Sequence, residues 1–406
     1  MEQAKAFTIR GLAIFATFLW LLPSVGGADE PRTRKVTCDS HHTIGKELDE
    51  LKPGDTLLVS GTCNENVVIP EEVHRITLDG QGTATINGPD STRDTITVRG
   101  RGITIKGFSI TGGNSGINVF RGGTATINGN LLQNTGLHGI NIGNGSFATV
   151  INNTINNNPV HGIFIATGSA NIGFRAGDSV ASPNIIQNNG NSGIGLGDSS
   201  SARIDGNTIT GNGNAGIIVS ESSSARIGFT GIIGSLTAAN TIQNNGNGGI
   251  RIGAGSHAGI EGNVIGNNTG AGISVDNSSS AVIGVLGFSN TIQNNTGGGV
   301  VLRRSSGARI LAAVISNNTG NGVQISRASQ ADVGSNTING NTEDGIRVEE
   351  NSGLNLFPSP NRGSNTQFGI RCSIGGYATG SIGTLTGTSG ATSFDATCIN
   401  VLVLSP

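Results

Sequence analysis

Residues 202–219 read ARIDGNTITGNGNAGIIV, and three short alternations punctuate them: Ala202-x-Ile204, Asn207-x-Ile209 and Ile217-x-Val219. Alternation at period two is the signature of a strand with one face buried, and the Gly, Asn and Ser between the alternations are corner residues. The unit recurs. Gly followed by Ile or Val heads the third alternation in eleven successive copies, from Gly116-Ile117 to Gly369-Ile370, at spacings of 23, 23, 31, 23, 33, 23, 27, 23, 23 and 24 residues. A fixed period near 23 marks a solenoid whose repeats bury their apolar faces only by stacking. No segment of the repeats carries a 3.6-residue period, so the crossovers are themselves strands. Three strands per turn, each pairing with its copy one turn later, define an all-β parallel β-helix, right-handed by the usual preference of parallel crossovers.

Two asparagine columns accompany the strands. One runs from Asn130 through Asn153, Asn184 and Asn207 to Asn336, the other from Asn158 through Asn189 and Asn212 to Asn341. Asn tolerates left-handed backbone at tight corners, and stacked copies can pass amide hydrogen bonds along the helix. The longer repeats insert residues at one corner, at 173–183, 228–239 and 284–289, and Phe174, Phe229 and Phe288 give that row of loops an apolar character. Packing of the loops on one another is the expected reading, with a partner-binding ridge as the rival.

The chain begins with a basic stretch (Lys5, Arg10) and an apolar run, Leu12 to Leu22, followed by Gly26 and Ala28. Residues 1–28 therefore read as a signal peptide, with 29–54 as an N-terminal cap, 55–372 as the β-helix and 373–406 as a C-terminal cap. Ile44, Leu48 and Leu51 suggest a short amphipathic helix in the first cap, ending at Pro53-Gly54. No later segment is long and apolar enough to span a membrane. Removing the leader leaves 22 basic against 25 acidic residues, a balance unsuited to nucleic acid. The expected location is secreted or periplasmic. There the four cysteines read as two disulfides, Cys38–Cys63 and Cys372–Cys398, one at each end of the repeats. A metal site around Cys38, His41 and His42 is the alternative; no metal site is assigned.

The G-I-x-V strand, a near match to S-x-A-x-I at Ser201-Ala202-Arg203-Ile204, the N-x-I strand and the opening PGDTLLVSGTCNENVVIP (53–70) together resemble right-handed β-helix repeat proteins of the pectin-lyase-like superfamily. That resemblance spans roughly residues 55–372. It implies the fold strongly and the activity weakly, because such folds host lyases, hydrolases, epimerases and adhesins. Its polygalacturonases carry catalytic Asp and His just before the G-I strand. The matching column here holds His138 and His161 but a single acid, Asp344, and hydrolysis by paired carboxylates needs two. A hydrolase is rejected on that ground.

For a polysaccharide lyase or C5-epimerase acting on uronic acids, the best cluster is Asp344, Arg347, Glu349 and Arg371, with Gln324 one turn before Arg347. Calcium is the cofactor such a lyase would use; otherwise none is expected. Saccharide contacts would fall to Asn118, Phe120, Asn141 and Phe164, with His138 and His161 beside them. The outward face is mostly small and neutral, and the leading expectation is a non-catalytic exported β-helix. Its partner would be a polysaccharide or a cell-surface component, or its role purely structural.

Overall fold

The computed structural model describes residues 30–403, apart from 178–179 and 229–237. The expected leader and Phe229 lie outside the described residues. From Thr33 onward the chain is almost wholly β-structure in parallel register. The G-I-x-V strands form one sheet of 14 strands, from Val67–Ile69 to Gly390–Phe394. The other two strand columns merge into a second sheet of 27 strands that bends at the asparagine corner between them. Registers are strict: Ile194 faces Ile217, which faces Ile250, and Ala202 faces Ala225.

The interior follows from that register. Ile140, Ile163, Ile217, Ile250 and Ile273 stack as one inward column and are all fully buried. The glycine before each of them is a matter of close approach. A Cβ on Gly193 would lie 2.5 Å from Ile209 Cγ2 and 2.9 Å from the Gly216 carbonyl oxygen, well inside van der Waals contact.

Every corner carries a ladder of buried polar side chains. At the bend between the first and second strands, the Oδ1 of each asparagine accepts from both the backbone N–H and the Nδ2 of the asparagine one turn earlier. Asn130 thus donates to Asn153 at 2.9 and 3.0 Å, and Asn153 to Asn184 likewise. A second ladder runs from Thr135 through Asn158 to Asn365. At the third corner, from Ser200 to Ser352, each serine Oγ accepts the N–H of the serine one turn earlier. The ladder asparagines are buried. The left-handed conformation belongs to the residue before them, such as Asn152, Asn157 and Gly206. The first ladder has one gap, at Ala313, whose N–H still donates to Asn336 Oδ1 at 2.9 Å.

The ends are closed in different ways. The helix Ile44–Leu48 lays Ile44 and Leu48 over the first turn, and the Glu65 carboxylate accepts the N–H groups of Ile44 and Gly45 at 2.7 and 3.0 Å. These are N–H groups that a helix start cannot satisfy by itself. At the far end, the segment expected to cap the helix continues its columns as strands, closing with Ile399–Val403 parallel to Tyr377–Ser381. Both expected disulfides are formed, with Cα separations of 5.0 Å for Cys38–Cys63 and 6.1 Å for Cys372–Cys398. The alternative metal site is thereby set aside, since Cys38 is bonded to Cys63 and His42 Nδ1 contacts Asp39 at 2.9 Å. Among the inserted loops, Phe174 is buried beneath the Arg203 guanidinium, 4.0 Å from its ring centroid, whereas Phe288 stays partly exposed. Gly206 N–H donates to Ala238 O at 2.9 Å and Asn152 N–H to Ser182 O at 3.1 Å, so the described ends of the first two insertions rejoin the corner in register.

Two measurements check this account. Asn245→Ala removes the acceptor for Asn212 and should cost about 1–3 kcal/mol in urea unfolding, whereas Ala313→Asn completes the ladder and should add about 1 kcal/mol. Intact mass after alkylation of the unreduced protein should reveal no reactive thiol; a labelled cysteine would contradict the pairing.

Candidate functional site

The central residue of each G-I-x-V strand points outward. In register these positions are Asn118, Asn141, Phe164, Gly195, Ile218, Arg251, Ser274, Val301, Gln324, Arg347 and Arg371. The column just before the glycine has a structural duty that its sequence does not announce. His138 Nδ1 accepts the N–H of His161, and His161 Nδ1 that of Ser192, both at 3.3 Å. Asn321 Oδ1 accepts the N–H of Asp344, and Asp344 Oδ1 that of Phe368, both at 3.1 Å. Each side chain satisfies a backbone donor one turn on.

Asp344, Arg347, Glu349 and Arg371 do come together, as one charged network. Arg347 Nε donates to Glu349 Oε2 at 2.8 Å, and Gln324 Nε2 donates to Glu349 Oε1 at 2.8 Å. Arg347 Nη1 lies 3.8 Å and Arg371 Nε 3.1 Å from Asp344 Oδ2. The second contact is out of line for a hydrogen bond, which leaves both of its atoms buried without one. Asp344 is fully buried, and burial lifts its carboxyl above the usual range against the opposing pull of Arg371, the Phe368 amide and Arg347. Arg371 Nη2 donates to Gln367 at 2.7 Å and its guanidinium lies 4.9 Å from the Phe368 ring centroid. Arg304 and Arg327, on the next corner, pair with Asp276 at 2.6 Å and Glu350 at 3.5 Å. A shallow groove of about 340 Å³ runs past Gln324, Glu343, Arg347 and Glu349, and a second of about 280 Å³ past Arg251, Ser274 and Arg303; Gly297 and Val301 line both.

The residues expected to contact saccharide form a separate group. His138, His161 and Phe164 stack with centroids 5.0 to 5.4 Å apart. Asn141 donates to Asn118 at 3.1 Å and Asn118 to Asp94 at 2.7 Å. Phe120 is half-buried under the Arg121 guanidinium, 5.8 Å from its centroid. Phe164 and Arg347 are seven rungs apart, roughly 34 Å at about 4.8 Å per rung. The two groups cannot act on one bond.

Two features escaped sequence reasoning. A groove of about 630 Å³ lies on the S-x-A-x-I face, lined by Phe147, Arg203, Arg226, His257 and Glu261 among others. Beside it, burial pushes the Asp205 carboxyl up to about 6 despite Arg203, whose Nε donates to it at 2.8 Å. The recurrence of Ala-Arg-Ile at 202–204 and 225–227 is the signal that could have found it. The other is a cluster of arginines at the first corner, Arg75, Arg99, Arg101 and Arg121.

Residues 53–232 match the family described as periplasmic copper-binding protein (NosD), and residues 235–377 match the right handed beta helix region. Among solved structures, the mannuronan C-5 epimerase AlgE6 A-module of Azotobacter vinelandii is similar over 89% of this chain and 93% of its own, at 14% identity and a TM-score of 0.56. The AlgE4 A-module of the same organism aligns over 89% and 92% at 14% identity and 0.47. Pectate lyase Pel9A aligns over 70% and 76% at 15% identity and 0.42. No curated protein matches in sequence. At such identities the likeness is one of fold. The class is that of parallel β-helix repeat proteins. Within it, residues 235–377 match the right-handed kind of repeat.

The copper in the matched family's description can be tested on the residues. Copper sites draw on thiolate, thioether and imidazole ligands. Among the described residues, the one group of three His, Cys or carboxylate side chains within coordinating reach is Cys38, Cys63 and Glu65, and both sulfurs are tied up in the disulfide. The donor set does not fit copper. Nor do three carboxylates converge among the described residues to cage calcium.

The histidine stack has a measurable consequence. Burial, aided by the neighbouring His161, lowers the His138 pKa to about 4 from 6.5. A base with a depressed folded pKa contributes stability above its unfolded pKa and loses it as pH falls toward the folded value. The parent should therefore lose stability relative to His138→Asn, which keeps an acceptor, as pH falls from 6.5 to 4. The difference should be flat above pH 7. Asp205 titrates in the opposite sense but is common to both proteins, so chemical denaturation of the pair reports the His138–His161 stack.

Proposed function

We propose that this protein is an exported β-helix, secreted or periplasmic, that binds a polysaccharide along its outward face without turning it over. The observation that carries the non-catalytic part is the commitment of every charged group in the Asp344 network. Its acid is buried and holds a backbone N–H, and its best base or clamp, Arg347, is held by Glu349 at 2.8 Å. A lyase or epimerase needs a base aimed at the substrate and a cation left over for the uronate carboxylate. The polysaccharide part is supported by the shallow grooves and by the similar fold of the AlgE6 A-module, a mannuronan C-5 epimerase. The described residues contain no helix long and apolar enough to cross a membrane.

Catalysis at the same cluster is the second reading, favoured by the raised Asp344 carboxyl and the adjoining groove. Incubating the exported protein with a polyuronate panel, with and without calcium, separates the two readings. Unsaturated ends are followed by ultraviolet absorbance and C5 inversion by proton NMR. The expected result is binding with no product. Arg347→Ala should then shift stability by no more than about 1 kcal/mol, as for a partly exposed ion pair, and leave binding intact. Turnover in the parent that Arg347→Ala abolishes in a folded protein would establish the enzyme instead.

A further inference from the structure

Arg75, Arg99, Arg101 and Arg121 come from three successive turns and line one cavity of about 480 Å³, together with His74, Glu71 and Gly102. The volume lies within the range of ligand clefts, about 300–1,000 Å³. The cavity sits at the corner where the G-I-x-V strands end. His74 bridges in parallel to Arg101, and Arg99 follows the strand Ile96–Val98 one turn before Phe120. Two of the arginines, Arg75 and Arg121, hold left-handed backbone with φ of 54° and 53°, at a cost of roughly 1–2 kcal/mol each.

None of the four guanidinium groups has an ion-pair partner among the described residues, and the buried Arg99 Nε has no hydrogen bond. The same corner supplies its own control. Farther along the helix it again carries arginines, Arg304 and Arg327, and each has an acid one turn away, Asp276 and Glu350. A corner that pairs Arg304 and Arg327 with acids but gathers four arginines with only Glu71 beside them has a local positive field, on a chain of net charge −2. Guanidinium forks match carboxylate and sulfate oxygens in pairs.

We infer that this arginine corner is a subsite for the anionic groups of an acidic polysaccharide, the carboxylate of a uronate or a sulfate ester. The inference rests on the proposed polysaccharide binding for the identity of the carrier, and on the four arginines for its charge. The neighbouring outward residues suit a sugar: Asn118 and Asn141 offer amides and Phe120 a ring face. Nucleic acid is disfavoured by the overall charge, and the lone Tyr and absent interleaved aromatics offer no stacking platform for bases.

Isothermal titration of the full exported chain tests this with four probes: an oligouronate, its carboxyl-reduced neutral counterpart, a sulfated oligosaccharide of equal length, and inorganic sulfate. The oligouronate, the sulfated oligosaccharide or both should bind at least tenfold more tightly than the neutral sugar and than inorganic sulfate, with affinity falling as salt rises. Which of the two binds identifies the anion. Arg99→Gln/Arg101→Gln should weaken acidic binding at least tenfold, and Arg75→Gln alone severalfold. Arg304→Gln should leave it unchanged. Removing mutually repelling charges should not lower the melting temperature, so lost binding in a protein that melts like the parent is a ligand effect. Acidic binding that the arginine variants leave intact would overturn the subsite while sparing the general reading. Equal affinity for the neutral sugar, or tight binding of inorganic sulfate alone, would also overturn it. If no oligosaccharide binds at all, the polysaccharide reading itself falls, and the subsite with it.

Discussion

The side-chain amide of Asn212 donates to that of Asn245 at 3.0 Å, and Asn245 donates to Asn268 at the same distance, in surroundings from which water is excluded. An amide transferred from water without a partner costs several kcal/mol, so a buried asparagine is tolerable only where the next turn presents its own in register. The bent corners, the strict strand registers and the isoleucine stacks all follow from meeting that condition turn after turn. The serine ladder repeats the solution with a smaller group at the corner after the G-I-x-V strands. The pre-glycine column repeats it with whatever acceptor is at hand, whether histidine, asparagine or Asp344.

That versatility is what obscures function here. His138 over His161, or Asp344 between two arginines, has the look of catalytic equipment when only residue types are visible. Once the backbone is in place, each is seen to hold a neighbour's N–H. The hydrogen-bond duty does not abolish reactivity, but it accounts for the residue without it. The arginine corner differs because, among the described residues, no such duty engages its guanidinium groups.

Most of the architecture could be read from the chain, because a 23-residue period with alternating apolar residues admits few solutions. The cap helix and both disulfides followed from Ile44, Leu48 and the placement of four cysteines. The limits were local. Asn66 and Thr95 stand where glycine precedes the strand elsewhere, so the turns at Val67 and Ile96 were hidden from a glycine-based count. In the sequence the serines read as corner residues alone, because their ladder exists only in three dimensions. The Asp344 network is legible because Asp344, Arg347 and Glu349 lie on or beside one strand and Arg371 follows Arg347 by one repeat. Arg75, Arg99, Arg101 and Arg121 are separated by 24, 2 and 20 residues, and only the strand register shows that they share a cavity. The groove beside Asp205 lies on another face, that of the S-x-A-x-I strands, marked in the sequence only by the repeated Ala-Arg-Ile.

The ladders also constrain how such a chain can change length in evolution. Removing or duplicating a whole turn returns every asparagine and serine to an equivalent neighbour, whereas a change of a few residues inside a strand would misalign all the columns at once. Growth is therefore quantised in units of a turn, except where the backbone leaves the ladders. The inserted segments at 173–183, 228–239 and 284–289 all occupy that one kind of position, just after the first strand and before the ladder asparagine resumes the register. Length variation among descendants of this gene would fall there or come in multiples of about 23 residues, making the corner a natural place to graft foreign sequence.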